Sequence, residues 1–164
     1  MVTMLLLHIS DTHLGKRQYN LESRENDVYE VFENLINIAL EERVDAVIHT
    51  GDLFDVSNPP TEAEHVAVKQ LSRLKGRIPV IAIAGDHDSP KRRGKVFHEV
   101  LQDLGLLRMP TLNSPIELKG VYFYGTKYVP LLGSSQQDLF RQELSELKPK
   151  GKSVLMLHQG LKEL

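Results

Sequence analysis

Aspartate and histidine residues follow four apolar runs of this sequence, each at the point where a run ends. The runs occupy residues 5–9, 46–48, 80–84 and 154–157. The polar residues that follow them are Asp11, His13, Asp52, Asp55, Asp86, His87, Asp88 and His158. Carboxylate oxygens and imidazole nitrogens, without sulfur, form a ligand set that suits Mn²⁺, Fe²⁺ or Zn²⁺. The sequence therefore predicts a metal site to which four strand ends contribute.

Two metal ions at such a site would support hydrolysis of a phosphate ester. The candidate metal ligands are Asp11, His13, Asp52, Asp86 and His158. If Asp52 bridges two ions, the pair can clamp a phosphoryl group and turn a bound water into hydroxide near neutral pH. His87 would stabilise the charge that develops on phosphate or donate a proton to the leaving oxygen. Asp88 would orient the imidazole of His87.

Helical patterns separate the apolar runs along the chain. Periodic apolar residues predict helices over 25–42, 61–74, 95–104 and 136–147. The apolar face predicted for the first helix comprises Val28, Val31, Phe32, Leu35, Ile38 and Ala39. Apolar residues on both sides of Lys119-Gly120 predict a β-hairpin, since a two-residue glycine turn connects them.

Strands that alternate with helices favour an α/β fold. We expect a parallel or mixed sheet covered by helices on both faces, with the hairpin as an antiparallel addition. In such sheets ligands bind beyond the carboxyl ends of the strands, which is where the candidate ligands fall. A length of 164 residues suits one domain, 1–164.

Composition excludes several other classes of protein. The chain has 20 basic and 22 acidic residues and a formal net charge of −2, so it lacks a global basic field and must hold a polyanion locally. The absence of cysteine excludes disulfides and thiolate metal sites, and it suits a reducing cytoplasm. The first apolar run is far shorter than the about 20 residues that span a bilayer. We therefore expect neither secretion nor membrane insertion.

A run of basic residues follows the third group of candidate ligands. It comprises Lys91, Arg92, Arg93 and Lys95. Most charge runs are simply solvated surface. Because this one adjoins the predicted metal site, we interpret it as substrate-binding, with cations that contact DNA phosphates independently of base sequence.

The spacing of the polar motifs resembles that of calcineurin-like metallophosphoesterases. The motifs are D-x-H from Asp11, G-D-x-x-D from Gly51, G-D-H-D from Gly85 and H-Q-G from His158. Within that superfamily the chain is most similar to the SbcD-type nuclease subunit of the DNA double-strand-break repair complex. The resemblance implies a β-sandwich core of mixed sheets flanked by helices on both faces.

The resemblance also implies roles for individual residues. One metal would be held by Asp11, His13 and Asp52, and the second by Asp52, Asp86 and His158. His87 would be the catalytic histidine. The implied cofactors are two divalent metal ions, with Mn²⁺ the expected metal.

The implied activity is that of a DNA nuclease, both 3′-to-5′ exonuclease and single-strand endonuclease, in double-strand-break repair. Its implied partners are DNA, an SMC-type coiled-coil ATPase and a second copy of the chain. The helices predicted over 61–74 and 95–104 are candidates for the homodimer surface. The expected location is cytoplasmic and nucleoid-associated.

Three departures from the family pattern affect these expectations. Asp86 stands where the family commonly has asparagine, and Asp55 where many of these nucleases have histidine. The chain also ends at Leu164, before the usual G-H-x-H motif. We therefore expect an N-terminal fragment, truncated at its C-terminus, with weak metal affinity and low activity on its own.

Two other functions remain open at this point. One is a small-molecule phosphodiesterase or phosphatase of the same superfamily, and the other is a non-catalytic dimerising scaffold with a degraded site. The histidines outside the motifs are expected to have no catalytic role. They are His8, His49, His65 and His98.

Overall fold

The computed structural model describes residues 3–90, 94–129 and 134–160, and it has an α/β architecture. Its strands are β1 (Leu6–Ile9), β2 (Ala46–His49), β3 (Val80–Ala82), β4 (Ile116–Leu118), β5 (Val121–Gly125) and β6 (Lys152–Met156). Its α-helices are α1 (Glu22–Glu41), α2 (Thr61–Ser72), α3 (Phe97–Asp103) and α4 (Ser134–Glu146). A short 3₁₀ helix, Gln18–Asn20, precedes α1.

Three parallel strands form the first sheet, in the order β1-β2-β3. The central strand β2 is buried along its whole length, as expected for a parallel strand covered on both faces. Val47 pairs with Leu7 on one side and with Val80 on the other. The carboxyl ends of these strands therefore meet at one edge of the sheet.

The second sheet has the order β4-β5-β6. β4 and β5 form the predicted hairpin, and the turn residues Lys119 and Gly120 both have positive φ, at 50° and 76°. Positive φ at both central residues matches the right-handed twist of hairpin strands. β6 runs parallel to β5, so the hairpin joins the final strand rather than the three-stranded sheet.

Alternate residues of the first sheet face two different layers. Val47 and Val80 pack in a core with buried residues of α1, α2 and α3. Ile48 and Ile81 pack instead against residues of the second sheet, including Phe123. The domain is therefore a sandwich of two sheets with three helices on the outer face of the first. The predicted fold class is confirmed, with the second sheet covering the inner face of the first.

The helix bounds differ from the predicted ones by at most three residues, but the predicted apolar face of α1 is partly wrong. Phe32, Ile36 and Ala39 are buried, whereas Val31 is 59% exposed and Ile38 is 45% exposed. At about 100° per residue, Val31 and Ile38 lie about a quarter turn or more from Phe32 around the helix. The buried face of α1 thus includes fewer residues than its apolar periodicity predicts.

Within the described residues, no helix combines the length and the apolar character that a membrane span requires.

Candidate metal centre

Backbone hydrogen bonds hold the loops after β1 and β2 side by side. The loops at this edge of the sheet are the first loop (residues 10–15), the second loop (residues 50–55) and the third loop (residues 83–90). The amide of Asp11 donates to the carbonyl of Gly51 at 3.0 Å. The amide of His13 donates to the carbonyl of Asp52, also at 3.0 Å. The parallel pairing of β1 and β2 thus continues into the loops and brings their polar side chains together.

Three candidate ligands have a left-handed backbone conformation. The φ angles are 54° at Asp11, 44° at His13 and 55° at Asp52. Such a conformation costs roughly 1–3 kcal/mol in a residue with a side chain, and it persists only where the surrounding structure enforces it. Backbone strain of this kind clusters at functional sites, which is consistent with a centre built on these two loops.

Two glycines allow the ligands to approach the backbone closely. A Cβ atom at Gly85 would lie 2.5 Å from the backbone nitrogen of Asp52. A Cβ atom at Gly51 would lie 2.7 Å from Cγ of His158. Real Cβ contacts are not this short, so the glycines that precede the motif aspartates are required by packing.

The buried carboxylate of Asp52 lies between two histidine rings. Its Oδ2 atom is 3.7 Å from Nε2 of His13 and 3.4 Å from Nε2 of His158. Burial raises the pKa of Asp52, although the backbone amide of His87 donates to Oδ1 at 3.0 Å and opposes this shift. A carboxylate with one imidazole on each side has the position that a bridging ligand needs.

His158 joins Asp11, Asp52 and Asp86 on one side of the centre. Single ligand atoms of Asp11, Asp52 and His158 all lie within 4.8 Å of one another. Oδ1 of Asp86 is 3.1 Å from Nε2 of His158, while Nδ1 of His158 is 2.9 Å from the carbonyl of Thr50. Donation from Nδ1 to that carbonyl leaves Nε2 free for a metal.

The charge environment of His158 favours its protonated form in this structure. Burial by itself lowers the pKa of His158. The hydrogen bond to Thr50 and the nearby carboxylates, chiefly those of Asp52 and Asp11, outweigh burial and raise the pKa overall. The carboxylates around His158 therefore favour positive charge in this pocket.

His13 connects both sides of the centre. Its Nε2 atom is 4.0 Å from Oδ1 of Asp11 and 3.7 Å from Oδ2 of Asp52. Its Nδ1 atom lies 3.2 Å from Oδ1 of Asp55, which also lies 3.5 Å from the ammonium group of Lys16. The structure therefore brings all five predicted ligands together around Asp52.

His87 lies beside these residues and contacts Asp55. Nδ1 of His87 is 2.7 Å from the backbone carbonyl of Asp55 and 4.0 Å from its carboxylate. The ring also packs edge-on against His13, with centroids 4.8 Å apart. The hydrogen bond to the Asp55 carbonyl, together with nearby carboxylates, raises the pKa of His87. The surroundings of His87 thus favour its protonated form relative to a free imidazole.

Asp88 connects the second loop to the third. Its carboxylate is buried and accepts the backbone amides of Leu53, Phe54 and Gly85, at 3.2, 2.9 and 2.9 Å. Among the described residues, no hydrogen bond joins this carboxylate to the imidazole of His87, so the orienting role of Asp88 stays a prediction.

Asp55 lies in the site, although its sequence pattern predicted no role for it. It contacts His13 through its carboxylate and His87 through its carbonyl. Together these three residues form a second group whose ligand atoms lie within 4.8 Å of one another. The available signal was the spacing G-D-x-x-D, which returns a carboxylate to the site three residues after Asp52.

The basic run is only partly described. Lys91, Arg92 and Arg93 lie outside the described residues. The side chain of Lys95 is 78% exposed and lies 3.7 Å from Glu99, four residues later. An exposed ion pair of this kind contributes little stability. The substrate-binding role of the run stays a prediction.

The residues present fit divalent metal ions. Carboxylates and imidazoles converge without sulfur, a donor set that suits Mn²⁺, Fe²⁺ or Zn²⁺. The buried carboxylate of Asp52 has histidine nitrogens at 3.4 and 3.7 Å, distances that leave space for an ion between them. His158 also has the carbonyl partner that commonly orients a metal-bound imidazole.

A shallow cleft of about 330 Å³ opens beside the centre. Asp11, Asp86 and His158 line it together with Tyr128 and Gln159. Two larger clefts, of about 730 and 590 Å³, share Arg77 and lie near the amino-terminal end of β3. A third, of about 380 Å³, is lined by Tyr124 and Lys150. None of these three contains a candidate ligand, so the cleft beside the centre is the one that chemistry favours.

Comparisons with known proteins identify the family to which the chain belongs. The sequence model of the calcineurin-like phosphoesterase family matches residues 4–163. The chain is 53% identical to the DNA double-strand break repair protein Mre11 of Sulfolobus acidocaldarius, over 97% of this chain and 42% of that protein. It is 50% identical to the Mre11 protein of Sulfurisphaera tokodaii, over 97% of this chain and 41% of that protein. The chain thus spans less than half the length of these relatives.

A solved structure has the same fold at much lower sequence identity. The protein TT1561 of Thermus thermophilus matches 94% of this chain and 67% of its own length, with a TM-score of 0.54 and 12% identity. This likeness concerns the fold alone. The family match, by contrast, covers nearly every residue, including all four motifs at the strand ends. The chain therefore belongs to the calcineurin-like phosphoesterase family.

Proposed function

We propose that this chain provides the catalytic centre of a metal-dependent DNA nuclease that acts in double-strand-break repair. The observation that carries the proposal is the position of Asp52, whose buried carboxylate lies between His13 and His158. Two relatives that are 53% and 50% identical are named DNA double-strand break repair proteins. Because those relatives are more than twice as long, the activity is proposed for the complete protein.

The proposed ligands divide into two sets that share Asp52. Asp11, His13 and Asp52 would hold one ion, and Asp52, Asp86 and His158 the other. When bound, two divalent ions supply a hydroxide near neutral pH and neutralise charge on the phosphate. Mn²⁺ is the proposed metal because the resemblance to the SbcD-type nuclease implies it, and oxygen and nitrogen donors are compatible with it.

His87 is the proposed catalytic residue. Its Nδ1 atom donates to the carbonyl of Asp55, so the ring has a fixed orientation. Its raised pKa favours the protonated form, which can stabilise charge on the phosphate or donate to the leaving oxygen. Asp55 and Asp52 lie close enough to contribute to that shift. The role proposed for Asp55 is to position His87.

Asp86 adds a negative charge where most of the family has a neutral amide. Its side chain is 45% exposed and contacts His158. An additional carboxylate strengthens attraction to a metal ion but opposes the approach of substrate phosphate. The basic run, Lys91 to Lys95, is proposed to offset this repulsion and bind the DNA backbone.

The proposed substrate is DNA, cleaved as a 3′-to-5′ exonuclease and single-strand endonuclease. A shallow, open cleft beside the metal ligands is compatible with an extended phosphodiester chain. The proposed partners are an SMC-type coiled-coil ATPase and a second copy of the chain. Val100 of α3 and Leu104, which directly follows α3, are 41% and 46% exposed and would supply apolar area for that dimer.

End-labelled DNA digestion tests the nuclease proposal. The intact protein, with Mn²⁺, should digest single- and double-stranded DNA. His87→Ala should bind Mn²⁺ normally but cleave about 10²–10⁴-fold more slowly, as expected for the loss of a proton-transfer group. His8→Ala removes an exposed histidine of β1 and serves as the matched control, with unchanged cleavage expected.

Other outcomes distinguish the alternatives. Hydrolysis of a small phosphodiester without any digestion of DNA would indicate a small-molecule phosphodiesterase. Mn²⁺ binding without turnover of either substrate would indicate a non-catalytic scaffold. Cleavage by His87→Ala at the wild-type rate would refute the catalytic role of His87.

A further inference from the structure

A partly buried hydrogen-bond chain connects β2 with the two loops that carry most of the candidate ligands. The hydroxyl of Thr12 donates to the carbonyl of Leu53 at 3.2 Å and lies 3.0 Å from Nε2 of His49. Thr12 stands between Asp11 and His13 in the first loop, and Leu53 follows Asp52 in the second. His49 is the last residue of β2 and is buried.

The directions of these hydrogen bonds follow from the donors available. A hydroxyl has one hydrogen, which Thr12 gives to the carbonyl of Leu53. Nε2 of His49 must therefore donate to the Thr12 oxygen, so His49 carries its proton on Nε2. Burial lowers the pKa of His49 to about 3, which keeps the ring neutral. The chain thus has one defined direction, from His49 through Thr12 to Leu53.

The imidazole of His49 lowers the stability of the core in which it lies. Apolar side chains surround the ring, including Ile9, Phe32 and Val47. Among the described residues, Nδ1 of His49 has no hydrogen-bond partner. A buried polar atom without a partner costs roughly 1–3 kcal/mol, so an apolar residue would give a more stable core. The hydrogen bond to Thr12 is the contribution that only a polar side chain makes here.

The backbone conformation of the first loop requires hydrogen bonds that stabilise it. Asp11 and His13 both have left-handed backbone conformations, and Thr12 lies directly between them. The amides of His13 and Leu14 hold the first loop against the second, at 3.0 and 2.8 Å from their acceptors. The Thr12 side chain adds a side-chain hydrogen bond, to the carbonyl of Leu53, to the backbone hydrogen bonds that join the two loops.

We propose that His49 and Thr12 are positioning residues that hold the first and second loops at the spacing which the metal ligands require. Neither side chain needs to contact a metal or a substrate. The proposal rests on the metal centre proposed above, since the positioned groups are its ligands Asp11, His13 and Asp52.

Matched variants separate the hydrogen bonds from packing. Thr12→Val keeps the shape of the side chain and removes the hydroxyl, while Thr12→Ser keeps the hydroxyl. His49→Phe removes both ring nitrogens, while His49→Gln keeps an N–H donor. His8→Phe is the control, because it deletes an exposed histidine–threonine hydrogen bond, that of His8 with Thr50, on the neighbouring strand.

The first measurement is amide hydrogen exchange in the metal-free protein. Thr12→Val and His49→Phe should raise exchange of the His13 and Leu14 amides about tenfold relative to the amides of β3. Thr12→Ser should restore most of the protection, and His8→Phe should leave it unchanged. Nitrogen-15 spectra of the His49 ring should show the Nε2–H tautomer.

The second measurement is a calorimetric titration with Mn²⁺ as the probe. Thr12→Val and His49→Phe should weaken Mn²⁺ binding about 10–100-fold, as is typical when a group that supports a ligand is lost. Thr12→Ser and His8→Phe should bind as the wild type does. Rescue by serine would show that the hydroxyl, rather than the bulk of the side chain, is responsible.

Three results would overturn the positioning role. The first is unchanged amide exchange at His13 and Leu14 in Thr12→Val and His49→Phe. The second is an equal rise in exchange at the β3 amides, which would show only a loss of core stability. The third is the Nδ1–H tautomer at His49. If wild-type protein binds no Mn²⁺, the proposed metal centre fails, and the exchange data and the tautomer then decide the loop-positioning role alone.

Discussion

Gly85→Ala is predicted to disrupt the metal centre by displacing the backbone of the third loop. Gly85 begins the G-D-H-D motif, and a Cβ atom there would lie 2.5 Å from the backbone nitrogen and 2.8 Å from Cγ of Asp52. The side chain of Asp52 could rotate away, but its backbone is held, because the carbonyls of Gly51 and Asp52 accept amides of the first loop. The third loop must therefore move away from the second.

The size of the effect follows from these distances. Ordinary contacts of a Cβ atom begin near 3.4 Å, so the loops must separate by several tenths of an ångström. Overpacking of this kind typically costs about 1–3 kcal/mol of folding free energy. A displacement of about 1 Å in a positioning group can reduce catalysis about 10²-fold. The loss of Mn²⁺ binding free energy should exceed the loss of unfolding free energy, because Asp52 is the ligand that both proposed ions share.

Two assays on the same protein check this prediction. Urea denaturation gives the free energy of unfolding, and calorimetry gives the affinity for Mn²⁺. Gly94→Ala is the matched control, since the one described residue that a Cβ atom there would meet is Pro90, at 3.6 Å. We expect Gly94→Ala to bind Mn²⁺ as the wild type does.

One result would refute the reasoning about Gly85. If Gly85→Ala matches Gly94→Ala in both stability and Mn²⁺ affinity, close packing of the third loop against Asp52 does not determine the geometry of the centre. Loss of stability with unchanged affinity would show that Asp52 keeps its position and the strain spreads elsewhere.

Two further predictions concern buried groups. Asp88→Asn should lower the free energy of unfolding by about 1–3 kcal/mol, measured by urea denaturation with Asp103→Asn as the exposed control, because an amide group cannot accept all three backbone N–H groups of the second and third loops. His49 has a folded pKa of about 3, below its ordinary value of 6.5, so the unfolded chain binds more protons and stability falls as pH decreases through that window. His49→Gln should therefore reduce the pH dependence of the free energy of unfolding between those two pKa values by up to about 1.4 kcal/mol per pH unit, and an unchanged slope would contradict a neutral, buried His49.

Several features of the fold were predictable because their signals are local. Apolar periodicity located α1 to α4 within three residues at each end. Lys119-Gly120 specified the hairpin turn, since both residues adopt positive φ. The predicted ligands Asp11, His13, Asp52 and Asp86 also converge, because the carboxyl ends of the parallel strands β1, β2 and β3 meet at one edge.

Other features depended on contacts between distant parts of the chain. Val31 and Ile38 belong to the apolar pattern of α1 but lie outside its buried face. Asp88 looks from its neighbours like a partner of His87, yet its hydrogen bonds reach Leu53 and Phe54, 35 and 34 residues away. No local rule assigns such partners.

Residue types and their spacing were enough to indicate the available chemistry and the strand ends that carry it, because residue type and periodicity are properties of short segments. The polar groups that meet depend on the folded chain: Asp55 meets His87, and His49 meets Thr12. The tertiary structure also paired β6 with β5, bringing His158 to Asp52 from the second sheet. Hydrogen-bond partners and metal ligands depend on distances of a few ångströms between segments, and these distances are set by the packing of the two sheets.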